Sequence, residues 1–333
     1  MVISVGVSTE KPRNVTIDLL KFIALVGLVI DHVTSNTLLL QLRSFDVNLL
    51  VLLSAILMSG KIINRPLVDF YKKRLSRLLL PTWVFLCIYF VINSIFHFQN
   101  LSIKDIVKTF LLLNTPVGYV WIVYVYVICA LLIPVIQKIN LKSPNGKYAF
   151  VLLICMYAIL VRLSNNYYYR IIVLYPIIYG LIMIIGMNWN NFTNIQKKIA
   201  IVFNILIYIT FAVYYKINTG HYLLTGDFKY PPRLYYLAYS LGIAFLLYEI
   251  IKRLQVKNRY VNSVCLFYAS FSLWFYLWHI LVLQIVYRIT NIDILKFILV
   301  MSITTVIIVF QKEFVKALRR KGVSDSICKI FEG

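Results

Sequence analysis

The stretch VTIDLLKFIALVGLVIDH, residues 15–32, is apolar enough to cross a membrane, yet it carries side chains that a bilayer disfavours. These are Asp18, Lys21, Asp31 and His32. An ionised group at the centre of a span costs about 2.5–3.5 kcal/mol, so such groups need protein or water around them. On a helix of 3.6 residues per turn, Lys21 and His32 lie within roughly 20° of the same face, and Asp18 shares it. We therefore predict a transmembrane helix whose polar line, Asp18–Lys21–His32, faces protein or water.

The composition indicates the class of protein. Of the 333 residues, 61% are hydrophobic and 14% are charged, and the mean hydropathy is +0.82, whereas soluble domains carry about 25% charged residues. We expect an all-α fold, a polytopic bundle of transmembrane helices that forms one domain over residues 1–333. Residues 1–15 would form an N-terminal arm and residues 315–333 a C-terminal tail.

Hydropathy and helix-breaking residues predict about ten spans, with nine or eleven as alternatives. The predicted spans cover residues 16–34, 46–62, 78–98, 118–137, 149–162, 169–186, 199–215, 234–251, 265–287 and 294–314. Residues 101–113 have the pattern of an amphipathic helix that lies at the membrane interface.

Lysine and arginine are divided unevenly between the predicted loops. The loops on the side of the N-terminus hold more than their share, by roughly two to one, which predicts that both termini are cytoplasmic. We expect a multi-pass protein of the cell membrane, specifically of a bacterial cytoplasmic membrane, with the lipid bilayer as a partner. Topology accounts for most of the net charge of +22, so we expect no nucleic-acid partner. The cysteines and histidines lack metal-binding spacings, so we expect no metal.

Two interpretations of the polar line are open. In the first, Asp18 and Lys21 form an ion pair near the cytoplasmic end, and His32 merely lies at the outer interface. In the second, His32 is an acid–base group in the outer half of the membrane, since its unperturbed pKa lies near neutrality. Asp31 points about 100° away from His32 on an ideal helix and is a secondary candidate.

The same stretch resembles the opening helix of acyltransferase family 3. In that family an aspartate precedes a basic residue by three positions, and a histidine follows after ten more; Asp18, Lys21 and His32 fit, with lysine where arginine is more usual. The stretch SAIL, residues 54–57, resembles the Ser-Gly-Phe/Tyr-Leu of the second helix, with alanine in place of glycine. Further resemblances lie in FYKKRLSRLLLPTW, GYVWIVYVYVICALLIP and SFSLWFYLWHILVLQ, so that the ordered set covers residues 16 to about 290.

The resemblance implies a membrane O-acyltransferase that uses acyl-CoA, most simply acetyl-CoA as co-substrate, and a glycan acceptor. Arg74 and Arg77, three residues apart in the Arg-x-x-Arg motif, would bind the phosphates of CoA, because guanidinium groups are fork-like donors. His32 would be the general base, with Lys21 and Asp18 beside the thioester. The alternative for the two arginines is membrane topology alone.

Other features remain open. Arg233 could shape an acceptor entrance or cap a loop, and Ser270 and His279 could bind substrate or be packed core residues. A succinyl group could replace acetyl, and a homodimer is left open. The main alternative class is a secondary transporter or flippase for lipid-linked sugars, because intramembrane charges also mark substrate paths. Against it, no paired inverted repeat is evident in the sequence.

Overall fold

The computed structural model describes residues 14–59, 66–113, 117–163, 166–254 and 256–332, and every regular element within them is helical. The helices are α1 (Val15–Val33), α2 (Thr37–Arg43), α3 (Asp46–Met58), α4 (Leu67–Phe96), α5 (Ile103–Phe110), α6 (Trp121–Ile136), α7 (Pro144–Leu163), α8 (Tyr167–Tyr169), α9 (Tyr175–Asn188), α10 (Asn194–Thr219), α11 (Leu234–Leu254), α12 (Arg259–Ser270), α13 (Ser272–Ile289), α14 (Asp293–Arg320) and α15 (Asp325–Glu332). The predicted all-α polytopic bundle is confirmed.

Eight segments of the described chain are helical, long and apolar enough to cross a membrane. They are Thr37–Met58, Leu67–Phe96, Pro144–Leu163, Tyr167–Asn191, Asn194–Thr219, Leu234–Leu254, Ser272–Ile289 and Asp293–Arg320. Two more of the predicted spans are also helices but are not among the eight. Helix α1 carries three charged residues within its 19 positions, and α6 has only 16 residues.

Some boundaries differ from the predicted spans for local reasons. Helix α4 begins at Leu67, well before the predicted start at residue 78, because the basic segment that precedes the apolar run is itself helical. The predicted span 265–287 is divided, since α12 ends at Ser270 and α13 begins at Ser272. The amphipathic helix predicted at 101–113 appears as α5. A capping box formed by Ser102 and Asp105 caps the N-terminus of this helix.

Helix α1 lies at the centre of the bundle, where it contacts α2, α3, α11, α12, α13 and α14. The sequence of α1 suits this position, because small and aliphatic side chains such as Ala24 and Leu20 are completely buried against the neighbouring helices. The structure therefore surrounds the charged residues of α1 largely with protein.

Helices α3 and α9 pack closely at the position where alanine replaces the family's glycine. A Cβ atom built on Gly186 of α9 would lie 2.6 Å from the Cβ of Ala55 and 3.0 Å from the carbonyl oxygen of Leu52. The missing side chain at Gly186 leaves room for the methyl group of Ala55, so the two helices approach each other closely here.

The two ends of the chain differ in how much of them is described. Residues 1–13 of the predicted N-terminal arm lie outside the described residues. In the predicted tail, α14 continues to Arg320 and α15 follows after a short turn. Helix α15 folds back on the bundle: Phe331 stacks on Trp274 of α13, with ring centroids 6.1 Å apart, and Cys328 is completely buried.

Candidate active site

A cavity of about 570 Å³ opens at the end of α1 that carries His32, and we call it the His32 cavity. Its wall combines aromatic rings with charged and amide groups from seven parts of the chain. The polar and aromatic members are Asp31, His32, Asp46, Gln99, Tyr119, Trp121, Tyr124, Tyr167, Arg170, Tyr175, Lys229, Tyr230 and Gln284. Enzyme pockets are commonly 300–1,000 Å³ in volume and carry a few convergent polar groups among aromatic side chains.

His32 lies between two other rings in this cavity. Its ring centroid is 4.1 Å from that of Tyr119, in an edge-on arrangement, and 5.6 Å from that of His279, which is nearly parallel at 19°. The backbone carbonyl of His32 accepts a hydrogen bond from the hydroxyl of Tyr287 on α13. Contacts with these two rings restrict the orientation of the imidazole, and His32 lines the cavity.

His279 is completely buried behind His32. Its Nδ1 atom contacts the backbone carbonyl of Tyr276, one turn earlier on α13, and its Nε2 atom has no hydrogen-bond partner among the described residues. From the sequence, His279 could either bind substrate or fill the core. The structure places it in contact with His32, from 247 positions away along the chain.

Asp31 belongs to a buried cluster of charges beside His32. The guanidinium of Arg43 forms ion pairs with Asp31 and with Asp46, and its Nη1 atom is 2.9 Å from Oδ2 of Asp46. The Nζ atom of Lys229 lies 4.0 Å from Oδ2 of Asp31. Arg43, Asp46 and Lys229 each expose 7% or less of their surface, so these charges balance one another within the protein.

Lys229 reaches this cluster from the loop before α11. Its Nζ atom lies 5.5 Å from the centroid of the Trp121 ring and 5.6 Å from that of Tyr230. Arg170 lines the same cavity and donates from Nη1 to the backbone carbonyl of Tyr230 at 3.0 Å. The wall of the cavity therefore carries one lysine and one arginine together with the carboxylates of Asp31 and Asp46.

Sequence reasoning missed Arg43, Asp46, Arg170 and Lys229 as site residues. Arg43 and Lys229 lie in predicted loops, and Asp46 and Arg170 lie at the starts of predicted spans. Their common signal is a charged residue beside an apolar span on the same side as His32, but nothing in the spacing shows that they meet. They converge because α1, α2, α3 and the loop before α11 pack together.

A smaller cavity of about 140 Å³ lies toward the other end of α1, and we call it the Lys21 cavity. Its lining includes Lys21, Ser54, Tyr126, Ser272 and Tyr276. Leu25, one turn beyond Lys21, lines this cavity, whereas Leu28 lines the His32 cavity, and Ile122 of α6 lines both. The line of α1 residues predicted from the sequence thus runs from one cavity to the other.

The two arginines of the predicted CoA site are neighbours of the Lys21 cavity. Arg74 is half-buried and Arg77 is exposed on α4, and the residue after Arg77, Leu78, lines the cavity. Neither guanidinium belongs to the lining itself. Arg74 and Arg77 are therefore close to a lining residue along α4 but outside the lining.

The remaining predicted residues are more distant from His32. Asp18 is buried on α1 one turn before Lys21. Ser270 ends α12, where its hydroxyl donates to the carbonyl of Leu266 at 2.6 Å. Arg233 lines a separate apolar groove between α7, α9, α10 and α11 and does not line the His32 cavity. Among the described residues, no group of three or more His, Cys, Asp or Glu side chains could hold a metal ion.

These features define a multispanning membrane protein with a histidine-lined cavity at one end of its central helix. Residues 14–310 match the model of a family described as an acyltransferase domain, and that match covers most of the chain. The chain belongs to acyltransferase family 3, as the motifs indicated, and it is a membrane acyltransferase. No curated protein and no solved structure matched the chain.

Proposed function

We propose that this acyltransferase moves an acetyl group from cytosolic acetyl-CoA to a hydroxyl of a cell-surface or exported glycan, with His32 as general base. The observation that carries the proposal is the position of His32 in a cavity large enough for a sugar, within a family of acyltransferases. The aromatic wall of the cavity supports a glycan acceptor, since aromatic rings offer apolar faces beside polar groups.

In the proposed reaction, His32 takes the proton of an acceptor hydroxyl while the hydroxyl oxygen attacks the carbonyl carbon of the thioester. A carbon–oxygen bond forms and the carbon–sulfur bond breaks. The thiolate of CoA leaves with the electron pair of the broken bond and receives the proton from His32. The edge-on contact with Tyr119 and the stacking contact with His279 hold the imidazole during both transfers.

The Lys21 cavity supports a path for the donor. Its small volume suits an extended chain such as the pantetheine arm better than a bulky head group. Arg74 and Arg77 would bind the CoA phosphates at the adjacent end of α4, because arginine offers paired donors to phosphate oxygens. Lys21 and Asp18 would then lie along the arm, where Lys21 adds a positive charge near the thioester.

The proposed orientation has both termini in the cytoplasm of a bacterial cell and the His32 cavity on the external side. The distribution of lysine and arginine supports it. A fluorescent protein fused after Gly333 should fold and fluoresce, because it would remain inside. Alkaline phosphatase inserted in the loop before α11, which carries Lys229, should be active. The opposite pattern for the two reporters would reverse the proposed direction of transfer.

The decisive experiment measures O-acetyl groups on envelope glycans by mass spectrometry and NMR. Cells would express the wild type, His32→Ala, the control His221→Ala or no protein, at matched membrane levels. His221 is an exposed loop histidine that lines neither cavity. We expect acetyl groups with the wild type and with His221→Ala, and at most background levels with His32→Ala.

Other outcomes separate the alternatives. A succinylated glycan would retain the acyltransferase but change the donor, and mass spectrometry distinguishes the two groups. Full acetylation with His32→Ala would exclude this histidine as the base. An unchanged acetyl profile, together with altered glycan export or accumulation of lipid-linked precursors, would favour a transporter.

A further inference from the structure

An apolar groove with a volume of about 840 Å³ lies on the side of the bundle. We call it the lateral groove. Its wall is formed by α7, α9, α10 and α11, and most of its lining residues are aliphatic or aromatic. Helices α7 and α10 are the least covered of the eight candidate spans in the described chain, since only 11% of the apolar stretch of each is buried within the protein. The groove therefore adjoins the lipid phase.

Two arginines stand at one end of this apolar groove. Arg162 is in the last turn of α7, Arg233 immediately precedes α11, and both are exposed. Neither forms an ion pair with a described carboxylate of the chain, and both line the groove. Arg170, which follows α7 after a short loop, lines the His32 cavity, so the charged end of the groove is on the same membrane side as His32.

The length of the groove matches one leaflet. Its lining on α7 runs from Phe150 to Leu163, and at 1.5 Å per residue the segment from Phe150 to Arg162 is about 18 Å long. Half of a hydrocarbon core of about 30 Å is roughly 15 Å. A phospholipid acyl chain spans one leaflet, whereas a long polyprenyl chain exceeds it.

From this geometry we propose that the lateral groove binds an anionic phospholipid of the leaflet on the His32 side. An acyl chain lies along α7 and α10, and the head-group phosphate bridges Arg162 and Arg233. Guanidinium groups give charge-assisted, paired hydrogen bonds to phosphate, and a low-dielectric surrounding strengthens them. The proposal concerns binding, and it stands whether or not the acceptor is a glycan.

The bound lipid would also stabilise the loop before α11, which contributes Lys229 and Tyr230 to the His32 cavity. Tyr157, a lining residue of the groove, donates from its hydroxyl to the carbonyl of Pro232 at 2.7 Å. The amide of Arg233 donates to the carbonyl of Phe228 at 2.9 Å. Between these points lie Lys229 and Tyr230, whose side chains line the cavity. One short loop thus links the phosphate site to the candidate active site.

Native mass spectrometry of the purified full-length protein tests the proposal directly. The protein would be offered phosphatidylglycerol or phosphatidylcholine with identical acyl chains. We expect selective retention of phosphatidylglycerol, and we expect R162Q/R233Q to weaken it about tenfold or more. R162K/R233K should keep part of the preference. Lys216→Gln, which removes a positive charge from α10 outside the groove, should behave as the wild type.

A second variant tests the acyl-chain site apart from the charges. Ala158 lines the groove on α7, and Ala158→Phe should lower retention of both lipids by filling the space. Equal retention of phosphatidylglycerol by R162Q/R233Q and the wild type would overturn the proposal. Equal binding of phosphatidylcholine would overturn it as well. Displacement of phosphatidylglycerol by an equimolar polyprenyl phosphate, or by inorganic phosphate, would assign the site to another ligand.

Discussion

At the scale of single residues, Arg43 is the centre of the charge balance beside His32. It pairs with Asp31 and with Asp46, and Asp46 exposes only 1% of its surface. We predict that Arg43→Gln lowers the free energy of unfolding by about 3–5 kcal/mol, because it leaves a buried carboxylate without its partner. The free energy would be measured by reversible unfolding in mixed micelles.

The matched variant is R43Q/D46N, which removes the orphaned charge together with its partner. This double variant should recover part of the stability lost in Arg43→Gln, since a neutral amide costs less to bury than a carboxylate. If Arg43→Gln unfolds like the wild type, the two ion pairs contribute nothing and the cluster has no structural role.

Lys229 has a different role from Arg43, because it faces the cavity and lies farther from its carboxylate, 4.0 Å from Asp31. We predict that Lys229→Met reduces acyl transfer roughly 10-fold to 100-fold, the range expected when one charged contact of about 1.5–3 kcal/mol is lost. Lys229→Arg should retain more activity because it keeps the charge. The measurement is the initial rate of glycan acylation at matched membrane levels, and equal rates for all three proteins would contradict the prediction.

The periodicity of one helix was sufficient to put Lys21 and His32 on one face, because that relation is local. The contact between His32 and His279, and the cluster around Arg43, join residues from distant parts of the chain. Such contacts depend on which helices become neighbours in the bundle. Hydropathy does not encode that choice, so these residues could be found only from the structure.

At the scale of helices, the contact between α3 and α9 depends on Gly186. We predict that Gly186→Ala destabilises the protein by about 1–3 kcal/mol, because the added methyl group has no space between Ala55 and the backbone of α3. A55G/G186A should recover much of the loss, since it removes the methyl group of Ala55 that the new side chain would meet. Thermal unfolding in detergent would give the order of stability.

Gly180→Ala is the control on the same helix. A Cβ atom at Gly180 would lie 3.5 Å from a terminal methyl group of Leu132, an ordinary contact distance. This variant should unfold close to the wild type. If both glycine variants are equally destabilising, general helix effects rather than the contact with Ala55 explain the result.

Helix α15 provides a pH-dependent element outside the spans. A hydrogen bond from Lys329, and further interaction with Arg319, hold the pKa of Asp325 below its usual value. A carboxyl with a lowered pKa in the folded state stabilises that state above its unfolded pKa of about 3.9, and this contribution is lost as the pH falls. Acidification should therefore loosen α15.

Asp325→Asn imitates the protonated carboxyl at neutral pH, where the reactivity of thiols is constant. In a protein that retains only Cys328, we predict faster alkylation of this buried thiol in Asp325→Asn than in the parent. Ser326→Ala, a change at the exposed neighbour, should leave the rate unchanged. Equal rates in all three proteins would show that Asp325 does not hold the helix in place.

Hydropathy located the helices well but not their ends. The start of α4 at Leu67 was missed because its first turns are basic, and the break at Phe271 was missed because no glycine or proline marks it. The apolar content of a segment indicates which residues contact lipid. The exact ends of helices depend on caps and tertiary contacts, which composition does not record.

At the scale of the whole molecule, the His32 and Lys21 cavities lie along one helix and have Ile122 as a common wall residue. If the donor enters at one end of α1 and the acceptor at the other, they must meet near this residue. The positions of the two cavities do not by themselves require donor and acceptor to meet there. The proposed reaction does, because the thioester carbon must reach a hydroxyl beside His32.

We therefore predict that Ile122→Phe, which narrows this junction, lowers acyl transfer at least about tenfold, since small displacements of reacting groups are costly. Binding of CoA, measured by calorimetry, should remain near the wild-type value because Arg74 and Arg77 are unchanged. Ile133→Phe is the control, since Ile133 is equally buried on α6 but lines neither cavity. Loss of CoA binding along with activity would place the junction inside the donor site. Full activity in Ile122→Phe would show that donor and acceptor meet by another route.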